Sequence, residues 1–108
     1  MNSPYEAVIP FGVMEIRDFG WAIRQLKDGK RVCRKGWNGK GMWLALTPGR
    51  TIANERACSG AAKLLSELRP GDIEILGHID MKAADGKIVV GWLASQADML
   101  ATDWTEAA

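Results

Sequence analysis

The order of helix and turn signals along the chain constrains the fold more than any other feature of the sequence. Apolar residues at helical spacing alternate with runs of period two, in the order helix, hairpin, helix, hairpin, helix. A parallel sheet needs a repeated alternation of strand, helix and strand, and this order lacks it. We therefore predict an α+β fold, a small single domain of mainly antiparallel β-hairpins packed with an N-terminal helix and a short C-terminal helix.

The first helix and the first hairpin follow from adjacent signals. Asp18 precedes an apolar stripe at helical spacing that ends at Gly29, which indicates a helix with an N-cap and a glycine stop. From Lys30 the period changes to two, and a turn-rich stretch at residues 36–41 separates this run from residues 42–46. We therefore predict a β-hairpin whose loop is longer than a two-residue turn.

A second helix is predicted after a segment without a clear period, residues 50–58, to which we assign no element. Ser59 is suited to cap a short helix that runs through Leu68. The helical spacing points Leu64, Leu65 and Leu68 inward. The Arg-Pro-Gly-Asp sequence that follows is expected to end this helix.

The clearest hairpin signal lies in the second half of the chain. Asp85-Gly86 separates alternating runs at residues 78–83 and 87–92. Asp-Gly between two such runs is a strong cue for a tight hairpin turn. We therefore predict a hairpin here, preceded by a short strand at residues 73–76.

The two ends of the chain are predicted as a short helix and an extended arm. Ser95 with Asp98 three positions later resembles a capping box, which predicts a last helix carrying Leu100. Residues 1–17 alternate weakly around prolines and a glycine, which indicates an extended arm or edge strand. We therefore divide the chain into an arm at residues 1–17 and a single domain at residues 18–108.

Composition disfavours several protein classes. Of the 108 residues, 47% are hydrophobic and 25% charged, which are globular rather than disordered values. No apolar run reaches the roughly 18 residues of a membrane span, and residues 1–16 lack the features of a signal peptide. Cys33 and Cys58 have no CxxC spacing and His78 is the lone histidine, so no metal site or disulfide framework is indicated. We expect a cytoplasmic protein without a cofactor.

The net charge of +1 hides an uneven distribution of charge. Residues 24–40 hold seven Lys and Arg against one acid, whereas residues 72–108 hold seven acids against two Lys. One interpretation is electrostatic complementarity between neighbouring elements or chains, and the other is an anion site on the basic segment. The sequence leaves both interpretations open.

Cations, glycines and tryptophans share the tip of the first predicted hairpin, at residues 34–43. Glycines permit close approach of the backbone to a phosphate, Lys and Arg supply charge, and an indole face can stack on a purine. Asn38 offers both a donor and an acceptor. This combination suits a nucleotide, although a polar turn flanked by core tryptophans has the same composition.

Residues 92–96 lie where a predicted strand passes into the N-terminus of the last helix, whose unpaired amides suit an anion. In the alternative interpretation, Ser95 and Asp98 satisfy these amides as caps, and Asp98 would repel an anion. Asp98 and Asp103 suit ribose hydroxyls or a base edge, or else belong to a solvated helix face. Trp104 would close the wall of a pocket.

The sequence does not indicate a catalytic arrangement. His78 and Asp80 share a face of a predicted strand, which fits either a catalytic pair or a structural hydrogen bond. Cys33 lies within a predicted strand and Cys58 precedes a helix cap, so neither has an assured activating partner. We therefore do not predict an enzyme.

Four ordered motifs resemble a small family found in phages and prophages. They are DFGWA at residues 18–22, RKGWNGK at 34–40, HIDMK at 78–82 and VGWLASQADMLATDW at 90–104. This family, long filed as a domain of unknown function, includes the Thoeris anti-defence type 2 proteins. The resemblance runs from about residue 18 to residue 105, nearly the whole predicted domain.

The resemblance implies a non-enzymatic sponge, a homotetramer that captures glycocyclic ADP-ribose and so prevents activation of the immune effector. Glycocyclic ADP-ribose is the signal made by bacterial TIR-domain enzymes, and some relatives also sequester the cyclic oligonucleotides of CBASS immunity. The family holds its ligand uncleaved in pockets between protomers, by aromatic stacking and polar contacts, in the cytoplasm of an infected or lysogenic bacterium. The ligand-binding residues that the resemblance implies are Phe19, Trp37, Asn38, Met42, Trp43, Trp92, Ser95, Gln96 and Asp103.

Two other classes of function are weighed against this one. A single-stranded nucleic acid binding module also uses tryptophans beside lysines, although the near-neutral charge disfavours it. A nucleotide hydrolase would depend on His78, Asp80 or an added metal, and the sequence supports it least.

Overall fold

The computed structural model describes the backbone of residues 6–9 and 12–15, and both backbone and side chains of residues 17–38 and 40–108. The strands are β1 (Glu6–Ile9), β2 (Gly12–Glu15), β3 (Val32–Arg34), β4 (Trp43–Thr47), β5 (Arg50–Ile52), β6 (Ile73–Ile75), β7 (His78–Lys82), β8 (Ile88–Val89) and β9 (Trp104–Glu106). The helices are α1 (Phe19–Lys27), α2 (Gly60–Leu68) and α3 (Gln96–Leu100), with a 3-10 turn at Asn54–Arg56. Antiparallel pairing of β1 with β2, β3 with β4 and β9, β5 with β6, and β7 with β8 confirms the predicted α+β fold.

The chain divides into two compact units, one of Met1–Leu46 with Ile79–Ala108 and one of Thr47–His78. None of the helices in the described ranges is long and apolar enough to cross a membrane. The predicted division of the chain into an arm at residues 1–17 and a single domain at residues 18–108 stays a prediction.

The larger unit is built on a five-stranded sheet in the order β8-β7-β4-β3-β9. The central part is antiparallel, because β3 pairs with β4 through Val32 and Leu44 and with β9 through Cys33 and Thr105. Helix α1 packs against β3, β9 and α3. The buried core of this unit consists of Trp21, Ala22, Leu26, Val32, Leu44 and Trp104.

Helix α1 forms where the local signals predict it. The Asp18 carboxylate accepts a hydrogen bond from the backbone N–H of Trp21 at 2.8 Å, which satisfies one of the free amides of the first turn. The helix buries Trp21, Ala22 and Leu26 on one face. The chain then turns at Gly29, whose φ of +82° favours glycine.

Both predicted hairpins of the larger unit are present, but the second is shorter than expected. Strand β8 ends at Val89 instead of continuing to Trp92. Gly91 has a φ of +76°, which turns the chain out of the strand direction. The backbone N–H of Gly91 donates to the Asp80 carboxylate at 2.9 Å, and that of Trp92 donates to the carbonyl of Ile79 at 2.7 Å.

The segment predicted as an extended arm contains strands β1 and β2, which pair antiparallel with Val8 opposite Val13. The described part is therefore extended. The pairing of its two strands with each other is not predicted from the sequence. The remaining positions up to residue 16 lie outside the described residues. Arg17 forms an isolated parallel bridge with Asp103.

The smaller unit contains a strand that the sequence analysis does not assign. Strand β5 pairs antiparallel with β6, with Arg50 opposite Ile75 and Ile52 opposite Ile73. Residues 50–58 show no periodicity of their own, because the strand has only three residues and is defined by its partner. The predicted strand at residues 73–76 is confirmed as β6, over Ile73–Ile75.

Helix α2 forms at the predicted place with a different face inward. Leu64 and Leu68 are 64% and 82% exposed, so their predicted inward orientation is wrong for this chain, and only Leu65 is half-buried. The helix contacts β6, and Ala62, Leu65 and Ser66 are its half-buried residues. Ser59 occupies the N-cap position, but its side chain forms no capping hydrogen bond.

The capping box at α3 is confirmed in both directions. The Ser95 hydroxyl accepts from the backbone N–H of Asp98 at 3.1 Å, and the Asp98 carboxylate accepts from the backbone N–H of Ser95 at 3.3 Å. The helix ends at Leu100 and the chain continues into β9. The interpretation of Asp98 and Asp103 as a solvated helix face is therefore wrong, because Asp98 is buried and Asp103 lies in the connection to β9.

Candidate functional site

An arginine that bridges two carboxylates organises the larger unit beside the first hairpin. Arg34, at the end of β3, donates from Nη1 to Asp98 Oδ1 and from Nε to Asp103 Oδ1, both at 2.8 Å. The side chains of Arg34 and Asp98 are only 18% and 12% exposed. This geometry joins β3 to α3, through Asp98, and to the segment between α3 and β9, through Asp103.

The same carboxylates also hold the hairpin tip. The backbone N–H of Gly36 donates to Asp103 Oδ2 at 2.7 Å, and the indole Nε1 of Trp37 donates to Asp98 Oδ1 at 3.0 Å. The backbone N–H of Lys35 donates to the carbonyl of Asp103 at 3.2 Å. The Trp37 ring is thus fixed by a hydrogen bond from its own nitrogen.

Gly36 permits this arrangement by its lack of a side chain. A Cβ atom at this position would lie 2.9 Å from Asp103 Oδ2, closer than real Cβ atoms approach an oxygen. The short hydrogen bond from the Gly36 amide to Asp103 requires the absence of a Cβ, because a larger residue would push the carboxylate away.

The network keeps its charges at neutral pH. Burial alone would raise the pKa of Asp98, but hydrogen bonds from Trp37, Arg34 and Ser95 outweigh burial and hold its pKa below the usual value. The pKa of Asp103 is lowered in the same way, because the Arg34 guanidinium and the Gly36 amide outweigh burial. Hydrogen bonds to Asp103 and then Asp98 raise the pKa of Arg34.

Four aromatic rings form a cluster next to this network. Trp104, which is 1% exposed, lies at its centre, with ring centroids 5.5 Å from Trp37, 5.6 Å from Phe19 and 6.3 Å from Trp92. The Trp104 indole donates to the carbonyl of Asp98 at 3.1 Å, which fixes the central ring. Phe19, Trp37 and Trp92 are half-buried, so none of these three residues is fully enclosed.

The structure brings five of the nine candidate residues together. Phe19, Trp37 and Trp92 belong to the aromatic cluster, while Asp103 and Ser95 belong to the carboxylate network. Whether any of them binds a ligand stays a prediction.

The other four candidates are placed differently. Trp43 lies on β4 with the Arg31 guanidinium 5.5 Å from its ring centroid, and Met42 precedes it, half-buried. Asn38 and Gln96 are exposed, Asn38 directly after Trp37 and Gln96 at the first position of α3. Asn38 and Gln96 are therefore accessible to solvent.

Arg34, Gly36, Asp98 and Trp104 complete the site, and none of them is among the nine candidates. The uneven charge distribution is the signal that points to Arg34, because a basic segment facing an acidic one predicts ion pairs between them. At Arg34 the structure supports the interpretation that the basic and acidic segments are electrostatically complementary. Arg34 lies in the basic segment and pairs with two carboxylates of the acidic segment. No local sequence signal indicates which of the seven cations in that segment forms the ion pairs.

Asp80 and Cys33, two of the residues considered for catalysis, have surroundings that fit a structural role. Asp80 is 9% exposed and accepts a backbone hydrogen bond from Gly91, which fits the structural interpretation of this carboxylate. Burial, and then the charge of Asp103, raises the pKa of the Cys33 thiol, which disfavours the reactive thiolate. Within the described ranges, no group of three His, Cys, Asp or Glu residues is placed to hold a metal ion.

Comparison with known proteins identifies relatives along most of the chain. Residues 17–107 match the Thoeris anti-defense 2-like domain family, Tad2-like. The chain is also 41% identical over 86 residues to Thoeris anti-defense 2 of Bacillus phage SP01, a match that covers 80% of this chain and 89% of the phage protein. The family match at residues 17–107 includes the whole carboxylate network and the aromatic cluster. The chain therefore belongs to the Thoeris anti-defense 2-like family.

Proposed function

We propose that this protein is a phage or prophage anti-defence sponge that binds cyclic nucleotide immune signals and holds them without cleavage. Glycocyclic ADP-ribose is the first ligand to consider, and CBASS cyclic oligonucleotides are the second. The family supports the anti-defence role, since the matched phage relative carries that description. The observation that most supports nucleotide binding is the group of half-buried rings, Phe19, Trp37 and Trp92, around a fixed central tryptophan.

Stacking on these rings would supply affinity that does not depend on the identity of the base. Each stacked base contributes about 1–3 kcal/mol, and a few charge-assisted hydrogen bonds contribute about 1.5–3 kcal/mol each. Exposed Lys35 and Lys40 flank Trp37 and suit the phosphates of such a ligand. Together these interactions support submicromolar binding after the cost of association.

The state of the carboxylates favours sequestration over hydrolysis. A general acid at neutral pH needs a raised pKa, whereas the pKa values of Asp98 and Asp103 are lowered by donors from the protein. Both oxygens of each carboxylate already accept hydrogen bonds within the chain. Neither group is therefore poised to deliver a proton to a bound nucleotide.

Exposed apolar side chains at residues 90–100, around Trp92 in the sequence, support a homo-oligomer, which we propose to be a tetramer as the resemblance implies. Leu93 directly follows Trp92 and is 90% exposed, and Val90 and Leu100 are 70% and 74% exposed. Such a concentration of exposed apolar surface is typical of a protein interface. A ligand site between protomers would use the rings and this surface together.

The direct test is to incubate the purified protein with glycocyclic ADP-ribose, remove free ligand, and release bound material by heat for mass spectrometry. We expect intact glycocyclic ADP-ribose in the released fraction. The same experiment is then repeated with cyclic di- and trinucleotides. Light scattering on the same sample measures the mass of the assembly. Recovery of a hydrolysed product, or of no ligand from any incubation, would contradict sequestration.

Two variants locate the site. Trp37→Ala removes a stacking ring and should abolish retention, while Asn38→Ala changes an exposed side chain and should weaken retention without affecting folding. Leu68→Ala, an 82% exposed position in the smaller unit, is the control and should retain ligand like the wild type. Thermal melting of each variant separates lost binding from lost folding. Wild-type retention by both site variants would remove the hairpin tip from the site.

The alternative function is a single-stranded nucleic acid binding module, which Lys35 and Lys40 beside Trp37 also suit. Such a module loses affinity steeply with salt, and its affinity rises with strand length. Titration with oligonucleotides of increasing length at two salt concentrations distinguishes it from a sponge. Length-dependent, salt-sensitive binding together with no retention of cyclic nucleotides would favour this alternative.

A further inference from the structure

A cavity of about 670 Å³ lies within the smaller unit and takes no part in the site described above. It lies among β5, β6, the 3-10 turn and the first half of α2. Small-molecule sites in proteins typically measure about 300–1,000 Å³, so the cavity has the size of a ligand site. Its lining consists of Arg50, Ile52, Arg56, Ala57, Cys58, Ser59, Ala61, Ala62, Leu65, Ile73, Glu74 and Ile75.

The cavity exists because small side chains occupy positions that large ones would fill. Ala57 is buried at 7% exposure, and α2 presents Ala61 and Ala62 to the cavity, while Leu64 and Leu68 of the same helix are exposed. The space is therefore a consequence of the sequence.

The opposite wall is apolar with a charged end. The β5–β6 pairing sets Ile52 opposite Ile73 and Arg50 opposite Ile75. Because residues two apart share a face of a strand, the three isoleucines and Arg50 line the cavity together. Among the described residues no aromatic side chain lines it, so it offers no ring on which a nucleobase would stack.

Two guanidinium groups at this cavity have no partner within residues 17–38 and 40–108. Arg50 and Arg56 both line it, and neither guanidinium forms a hydrogen bond or an ion pair with another described residue. Glu74 is the one carboxylate of the described lining, which leaves an excess of one positive charge. By contrast, Lys63 on the outer side of α2 pairs with Glu67 at 3.4 Å.

We propose that this cavity binds a small amphipathic anion, a molecule with an aliphatic body of up to about ten carbons and one phosphate or carboxylate group. The body lies against the isoleucines and alanines, and the anionic group accepts hydrogen bonds from Arg50 and Arg56. This ligand differs from the nucleotide of the proposed function, because the cavity has aliphatic walls and belongs to the other compact unit. The site is thus a second binding site on the same chain.

The test uses three probes that share one alkyl chain: octyl phosphate, octanoate and octan-1-ol. Titration of the ¹⁵N-labelled full chain, followed by NMR, gives both the affinity and the location of binding. We expect shifts at the amides of residues 50–62 and 73–75, no shift at the indole signals of Trp37 and Trp92, and at least tenfold tighter binding of an anionic probe than of octan-1-ol. The stronger of octyl phosphate and octanoate identifies the preferred anionic group.

Matched variants test the role of charge. Arg50→Gln and Arg56→Gln change exposed side chains, so folding is preserved, and each should weaken the preferred anion about tenfold while leaving octan-1-ol unchanged. Lys63→Gln removes one positive charge from α2 outside the cavity and should leave all three affinities unchanged. Equal binding of anion and alcohol, an effect of Lys63→Gln as large as that of the arginine variants, or shifts outside the cavity would each overturn the proposal.

Discussion

Replacing Asp98 by asparagine tests whether the carboxylate network, and not only the hydrophobic core, stabilises the larger unit. The substitution preserves side-chain size and removes one negative charge. With the amide oxygen at the Oδ1 position, Arg34 Nη1 and Trp37 Nε1 keep their acceptor at 2.8 and 3.0 Å. The amide nitrogen then occupies the Oδ2 position and faces the backbone N–H of Ser95, which donates to Oδ2 at 3.3 Å in the wild type.

These two changes set the size of the effect. The bond from Arg34 loses its charge assistance, which costs about 1–1.5 kcal/mol, because bonds between ionised partners are about twice as strong as neutral ones. The longer bond from Ser95 contributes about 0.5–1 kcal/mol. We therefore expect Asp98→Asn to lower the free energy of unfolding by about 2 kcal/mol and the Tm by roughly 10 °C.

Urea unfolding at pH 7, followed by tryptophan fluorescence, measures this difference. Asp72→Asn removes the same charge from an exposed position and should change the free energy of unfolding by less than about 0.5 kcal/mol. As the pH falls through the lowered pKa of Asp98, the wild-type carboxylate is protonated as well, so the difference in the free energy of unfolding between wild type and Asp98→Asn should narrow. An Asp98→Asn protein as stable as the Asp72→Asn control at pH 7 would refute the role assigned to the network.

Two further predictions concern the dependence of stability on pH and the replacement of two glycines by alanine. The pKa values of Asp98 and Asp103 are lowered in the folded state, so the stability they contribute is present above the unfolded value of about 3.9 and is lost as pH falls through the folded values. Between about pH 5 and pH 2, the free energy of unfolding should thus fall more steeply for the wild type than for the Asp98→Asn/Asp103→Asn double variant, and parallel slopes would contradict this linkage. Gly36→Ala should destabilise by about 1–2 kcal/mol, because its Cβ would meet Asp103 Oδ2 at 2.9 Å and displace the carboxylate from the Gly36 amide. Gly20→Ala, inside α1 with no contact closer than 3.4 Å, should stabilise by about 0.5–1 kcal/mol, and thermal melting of the pair checks the opposite signs.

Elements whose signals are local could be predicted from the sequence. Helix α1 has its cap at Asp18, its apolar stripe and its stop at Gly29 within twelve consecutive residues, and the structure has all three. The capping box of Ser95 and Asp98 and the hairpin around Asp85-Gly86 are confirmed for the same reason. Each depends on hydrogen bonds between residues close in sequence.

Elements defined by a distant partner could not be predicted. Strand β9 exists because Cys33 and Thr105 pair across the fold, and β5 exists because Thr51 pairs with Glu74. Three-residue strands of this kind have too few positions to show a period of two. The prediction that Leu68 points inward is wrong for a related reason. Helical spacing indicates which residues share a face of the helix, but not what that face contacts.

The candidate site shows the same division. The hairpin tip around Trp37 is a continuous motif, so its residue types are visible in the sequence. The fixing of the Trp37 ring depends on Asp98, which is 61 positions away, and on the bridge that Arg34 makes to the same carboxylate. The sequence therefore predicts Trp37 as one of the candidate stacking rings, and the structure shows what holds that ring in place.

The hydrogen bond from Trp37 Nε1 to Asp98 restricts how this ring contributes to the proposed function. Because the indole N–H is already occupied at 3.0 Å, the ring has no free donor for a ligand, and its contribution in the proposed function is stacking. Stacking on a face is tolerant of base identity, since every base has a π-face. Discrimination between cyclic nucleotides then falls to polar groups beside the ring, of which exposed Asn38 is the nearest in sequence. A ring fixed before the ligand arrives also loses little side-chain freedom on binding, which favours the tight retention that a sponge requires.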